Sequence, residues 1–104
     1  MTAADLSPDD QVLLNRAAFL LDLVGRSADD DACGLMAIRS LRAADLLMRA
    51  GAKVAQLRMQ ISPGDARAAV RQALRLLGLL SPDAFGRTEV IEAAETAQQA
   101  FAAS

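Results

Sequence analysis

Three Ser-Pro dipeptides divide this chain into segments that begin in the same way. They are Ser7-Pro8, Ser62-Pro63 and Ser81-Pro82, and an aspartate follows each proline within two residues. A serine hydroxyl can accept a hydrogen bond from a free N–H group in the first turn of a helix. A proline at the first helical position lacks only an N–H group that would have no helical partner there. Because the positive end of the helix dipole also favours an acidic residue in this turn, the dipeptides predict three helix starts.

The rest of the sequence also favours helices over strands. Ala, Leu, Arg and Met are frequent and form helices readily, β-branched residues are scarce, and no window alternates polar and apolar residues for long. Two further helix starts are expected, one at the acidic run of residues 29–31 and one near Thr88, which we assign as an N-cap. The predicted helices cover residues 8–25, about 30–60, 63–79 and 88–102, with short connections typical of antiparallel neighbours. We therefore expect an all-α, four-helix bundle-like domain over residues 1–104, with a long second helix.

The second predicted helix carries a row of mainly apolar residues with a seven-residue repeat. Such a repeat is typical of a coiled-coil-like contact between helices. We call this row the seam; its members are Met36, Ser40, Ala43, Leu47, Ala50, Val54, Leu57 and Ile61. A neighbouring row contains the small residues Ala37, Ala44 and Gly51, which would let another backbone approach closely. We interpret Gly51 as a packing position inside an unbroken helix, although glycine is unfavourable there and a break is the alternative.

Basic residues concentrate in the middle of the chain, although the net charge is −2. Residues 32–80 contain eight basic and two acidic residues, whereas residues 1–31 contain seven acidic and two basic residues. At helical spacing the basic residues form two stripes: Arg39, Arg42, Arg49 and Lys53 on the second predicted helix, and Arg67, Arg71 and Arg75 on the third.

One hypothesis is that the two stripes bind nucleic acid. The alternative is that they are solvated or pair weakly with the acidic helices. The acidic pI of 4.9 and the absence of aromatic residues within the stripes favour the alternative. Nucleic acid is therefore not the partner that we expect.

Most residue patterns of enzyme and metal sites are missing from the sequence. There is no histidine, which removes the commonest general base and metal ligand. Cys33 is the single cysteine, so it forms no disulfide within the chain, and we interpret it as a small buried residue. Glu89, Glu92 and Glu95 are interpreted as a solvated acidic face rather than a cation site. We expect no enzymatic activity, no cofactor and no bound metal.

Two features bear on location. The N-terminal residues, MTAADLSPDD, are acidic and lack the basic region that begins a secretory signal. The longest apolar run, residues 12–24, is too short to span a bilayer and is interrupted by Arg16 and Asp22. We therefore expect a cytoplasmic protein without a membrane partner.

The first predicted helix is apolar on nearly all sides. Val12, Phe19 and Leu23 project to the side that also carries its polar residues. A helix of this kind is normally buried on more than one side. In addition, the second predicted helix would be about 46 Å long and its neighbours only about 23–27 Å, so part of the seam would stay uncovered.

These two observations predict association with a protein partner, and a homodimer is the simplest form of it. The proposed contacts are Val12, Phe19 and Leu23 on the first helix and Ala43, Leu47, Ala50 and Val54 on the seam. The function expected is that of a small interaction module, such as a regulator, a chaperone or an assembly adaptor, that occludes or scaffolds an amphipathic partner. The alternative is a small nucleic-acid-binding regulator that uses the basic stripes.

Overall fold

The computed structural model describes residues 6–27 and 30–103. Its helices are α1 (Pro8–Ser27), α2 (Asp30–Arg49), α3 (Pro63–Gly78), the single-turn α4 (Pro82–Phe85) and α5 (Thr88–Ala102). No strand occurs in these two described ranges, so the all-α prediction is confirmed. Within the same ranges, no helix is both long and apolar enough to cross a membrane.

The three Ser-Pro helix starts are confirmed. In each case the serine hydroxyl accepts a hydrogen bond from the backbone N–H group three residues later, at 3.1 Å for Ser7, 3.1 Å for Ser62 and 3.3 Å for Ser81. The assignment of Thr88 as an N-cap is wrong by one residue. The N-cap of α5 is Arg87, and no side chain caps that helix.

The second helix ends at Arg49, and its predicted extension to about residue 60 is wrong. Gly51 has a φ angle of +115°, a conformation that costs glycine little because it has no Cβ atom. The N–H group of Gly51 donates to the carbonyl of Met48 at 3.0 Å, and that of Ala52 donates to Leu47 at 2.9 Å. These two hydrogen bonds form a Schellman motif, which satisfies carbonyl groups at the end of a helix. Gly51 therefore terminates α2.

Residues 52–62 connect α2 to α3 without regular secondary structure, and we call them the crossover segment. The side chain of Asn15 accepts a hydrogen bond from the N–H group of Lys53, and the side chain of Ser27 accepts one from Met59, both at 2.8 Å. Between Asn15 and Ser27, α1 rises by about 18 Å, and six extended residues span about 20 Å. The crossover segment thus runs nearly straight along α1, where a short connection was predicted.

The direction of the helices explains why this connection is long. Asp10 near the start of α1 bonds to Ser81 beyond the end of α3, and α1 also forms a hairpin with α2, so both neighbours run antiparallel to α1. The chain must therefore return along the bundle between α2 and α3. Because α1 and α5 each pack against both α2 and α3, while α2 and α3 barely touch, the long helices have a bundle-like order α1, α2, α5, α3 with one long crossover.

The seam is part of the core of this chain as far as Ala50. Met36, Ala43 and Leu47 are almost completely buried against the other helices. Ala43, Leu47 and Ala50 therefore offer no surface to a partner in this fold, in contrast to the prediction. Val54 lies in the crossover segment, not on α2, and it is half-buried against the core.

α1 and α2 make a close contact beside the seam, and the residue that permits it is Gly25 of α1. A Cβ atom at Gly25 of α1 would lie 2.7 Å from the Cβ atom of Leu41 and 3.1 Å from the carbonyl oxygen of Ala37. Both distances are shorter than ordinary contacts between such atoms. The spacing of α1 and α2 at this point therefore depends on glycine.

Candidate protein-binding surface

The outer face of α1 is only partly covered by the rest of the chain. Val12 is 56% exposed, whereas Phe19 and Leu23 are half-buried. The crossover segment provides this partial cover, because its two anchors on Asn15 and Ser27 lead it along the same helix. A helix that is apolar on all sides must be covered on more than one side. For α1, part of that cover comes from the crossover segment of the same chain.

An open groove of about 440 Å³ lies between α1, the crossover segment and α3. Its buried and half-buried lining residues are the apolar Phe19, Leu20 and Leu76, together with Asn15. Its exposed lining residues include two cations, Arg16 and Lys53. The described residues that line it are Asn15, Arg16, Phe19, Leu20, Lys53, Ala55, Gln72 and Leu76. We call this site the α1–α3 groove: its described lining combines apolar and basic side chains and includes no acidic one.

The backbone of the crossover segment is largely free. Residues 54–58, between the two anchors, form no hydrogen bond with any other described residue. Residues 55–60 are all exposed, so this stretch of the chain lies at the surface. The edge strand of a β-sheet likewise has N–H and C=O groups without partners, and it can pair with another extended chain.

Apolar side chains accompany this free backbone. Leu57 is 49% exposed and Met59 is 54% exposed. Residues two apart lie on the same side of an extended chain. Leu57 and Met59 therefore lie on the same side as Lys53 and Ala55, which line the α1–α3 groove. This surface was not predicted from the sequence, because residues 52–60 were assigned to a helix, in which the same side chains would point in several directions.

The first basic stripe is interrupted in the structure. Arg49 forms an ion pair with Asp45 at 3.0 Å, and Arg39 donates a hydrogen bond to the carbonyl of Gln99 at 3.4 Å. Arg42 remains exposed on α2, whereas Lys53 lies on the crossover segment instead of on α2. The predicted stripe is therefore divided between two elements.

The second basic stripe lies on α3 and faces α5 in part. The guanidinium groups of Arg67 and Arg71 lie 4.0 Å and 5.9 Å from the ring centroid of Phe101, a cation–π arrangement, and Arg75 is exposed. Since α5 packs against both α2 and α3 and carries exposed Glu92 and Glu95, acidic side chains lie on the helix between the two stripes.

Other candidate residues give no site. Among the described residues, no group of three acidic or cysteine side chains could hold a metal ion, and this includes Glu89, Glu92 and Glu95. The predictions for Asp29 and for the Cys33 side chain fall outside the part of the chain that the structure describes.

Comparisons of this chain with protein-family models, curated proteins and solved structures find no match in any of the three. The α1–α3 groove and the surfaces that adjoin it are the basis of the function proposed below.

Proposed function

We propose that this protein is a small helical interaction module that acts by binding a segment of a protein partner. The observation that carries the proposal is the α1–α3 groove, whose lining combines the buried or half-buried Phe19, Leu20 and Leu76 with the exposed cations Arg16 and Lys53. An apolar base with a few polar groups at its edge is the usual composition of a binding groove. Val12 and Leu23 extend the apolar surface along α1.

The expected mechanism is occlusion or scaffolding. A partner segment would place apolar side chains against Phe19 and Leu76, and acidic side chains near Arg16 and Lys53. Such a module can act as a regulator, as a chaperone or as an assembly adaptor, depending on what the bound segment otherwise does. The partner is a second copy of this chain, as in the predicted homodimer, or a different protein.

A charge reversal in the groove tests the proposal. Arg16→Glu changes an exposed residue that lines the groove, and Arg42→Glu makes the same change on α2, outside the groove. Tagged wild-type protein and both variants are used to capture partners from the native cell, with and without nuclease. We expect wild type and Arg42→Glu to recover the same protein, and Arg16→Glu to lose it.

Two results of this capture would count against the proposal. Recovery that disappears after nuclease treatment, or that Arg42→Glu abolishes, would support the nucleic-acid alternative. A partner retained equally by Arg16→Glu would show that the groove is not the binding surface. Sedimentation of the purified protein distinguishes a homodimer from a complex with another chain.

A further inference from the structure

We infer that the partner segment binds in extended form, as an acidic strand that pairs with the backbone of the crossover segment. The inference rests on the proposed function and adds the conformation and chemistry of the partner. Residues 54–58 are held extended by anchors at Lys53 and Met59 and form no other hydrogen bond with the described chain. A peptide that pairs with such a backbone gains main-chain hydrogen bonds without unfolding any part of the protein.

The two anchors hold this stretch in an extended conformation before a partner binds. Asn15 and Ser27 fix both ends of the stretch to a rigid helix, so little conformational entropy is lost when a partner pairs with it. The exposed Leu57 and Met59 lie on one side of the stretch. They would contact alternate apolar side chains of the added strand.

The positive charges around the crossover segment indicate which kind of partner segment binds there. Between Asp45 and Asp65 the chain contains Arg49, Lys53 and Arg58 and no acidic residue. Arg16 of α1 lines the groove beside Lys53. A partner strand with acidic residues would therefore meet opposite charges, which favour cross-strand pairs.

The same charges argue against a second copy in this role. Two crossover segments paired with each other would bring Lys53 and Arg58 of one chain near the same cations of the other. Like charges at facing positions of a strand pair are destabilising. The structure thus points to a different protein that supplies an acidic, alternately apolar segment.

Peptide selection followed by proline substitution tests this inference. A displayed library of random peptides of about nine residues, enough to pair with residues 53–59, is selected on the full-length protein. We expect enrichment of peptides that alternate acidic and apolar residues. The best peptide is then synthesised, together with a form whose backbone nitrogens are methylated at alternate positions. Methylation should weaken binding by about tenfold or more, because it removes main-chain donors.

Two neighbouring proline variants provide the sharpest readout. Ala55→Pro and Gln56→Pro each change an exposed residue and remove one backbone N–H group that forms no hydrogen bond with the described residues. In an extended chain neighbouring N–H groups point to opposite edges. One variant should therefore lose peptide binding while the other keeps it, and both should melt like wild type. Slowed amide exchange at alternate residues between 54 and 58 should accompany binding.

The inference is overturned if no acidic peptide is enriched, if the methylated peptide binds as well as the parent, or if the two proline variants lose or keep binding together. The same variants distinguish failure of this inference from failure of the proposed function. A native partner that Arg16→Glu loses but both proline variants retain would leave the groove as the binding site and remove only the strand pairing.

Discussion

Asp10 is a buried carboxylate that joins two distant parts of the chain. It is 6% exposed, and it accepts hydrogen bonds from the hydroxyl group of Ser81 at 2.6 Å and from its backbone N–H group at 3.0 Å. The Ser81 hydroxyl is the main cause of a lowered pKa for Asp10, followed by the Ser81 N–H group, and both outweigh the opposing effect of burial. A single acidic residue in the first turn of α1 therefore fixes the end of α3, a role beyond its interaction with the helix dipole.

The lowered pKa of Asp10 gives a prediction about acid stability. Because the folded-state pKa lies below the unfolded value of about 3.9, the carboxylate stabilises the fold above about pH 4, and this contribution is lost as the pH falls through the folded-state pKa. We expect Asp10→Asn to lower the melting temperature at neutral pH. The variant should also lose less of its remaining stability in acid than wild type does.

Thermal unfolding followed by circular dichroism between about pH 7 and pH 2 checks this prediction, since the window covers both ionisation states. The matched control is Asp9→Asn, an exposed position in the same turn. If wild type and Asp10→Asn show parallel pH profiles, the Asp10–Ser81 interaction does not contribute to the stability of the fold.

Two glycines determine how the helical elements end and how closely they pack. Gly51 ends α2 through its positive φ angle, and Gly25 lets α1 approach α2. Gly34 is different, because its φ angle is ordinary and a Cβ atom there would meet nothing within 4 Å. The three residues therefore predict opposite effects of the same substitution.

Gly51→Ala should destabilise the protein by about 1–2 kcal/mol, because a Cβ atom makes positive φ angles unfavourable. Gly34→Ala is the control, and it should stabilise by up to about 1 kcal/mol because alanine is the better helix former. Urea denaturation measures both changes in the free energy of unfolding. A Gly51→Ala variant as stable as wild type would contradict the assigned helix end.

Gly25→Ala should also destabilise, although Gly25 lies inside a helix, where alanine is otherwise favoured. The new Cβ atom would force α1 away from Leu41 and Ala37, and overpacking of this kind costs about 1–3 kcal/mol. The same urea measurement, compared with Gly34→Ala, separates packing from helix propensity. Equal stabilisation of both variants would show that α1 and α2 are not in close contact at Gly25.

At the scale of the whole molecule, the crossover segment links the fold to the proposed function. It returns the chain along α1 and lines the α1–α3 groove together with Phe19. Val12 on α1 and Leu57 on the crossover segment leave apolar surface exposed. Surfaces of this kind are typical of association sites.

Phe19→Asp tests association through this face. Phe19 is only half-buried, so the charged side chain can reach water, and we expect the variant to fold with reduced stability. In a homodimer or a complex the same charge would be buried without a partner, so association should be lost.

Sedimentation velocity and circular dichroism of wild type and variant measure both effects, and Arg42→Glu serves as the control for a charge change outside the groove. A wild-type protein that remains a monomer, together with a Phe19→Asp variant that retains every captured partner, would contradict the prediction.

The sequence by itself determined the helical character of the chain and where most of its helices begin. These features depend on local interactions, such as the hydrogen bond from each Ser-Pro cap to an N–H group three residues away. The inward direction of Met36, Ala43 and Leu47 was likewise predictable, because helical periodicity places them on one face.

Only the tertiary structure decided where α2 ends and which surface remains open. From its neighbours in the sequence alone, Gly51 can lie inside a helix, at a cost of about 1 kcal/mol relative to alanine, or it can end a helix. The choice depends on long-range contacts: the extended segment packs Val54 and Ile61 against the core and covers part of α1, while Asn15 and Ser27 hold its backbone. Periodicity cannot detect these contacts, since they join residues more than thirty positions apart in the sequence.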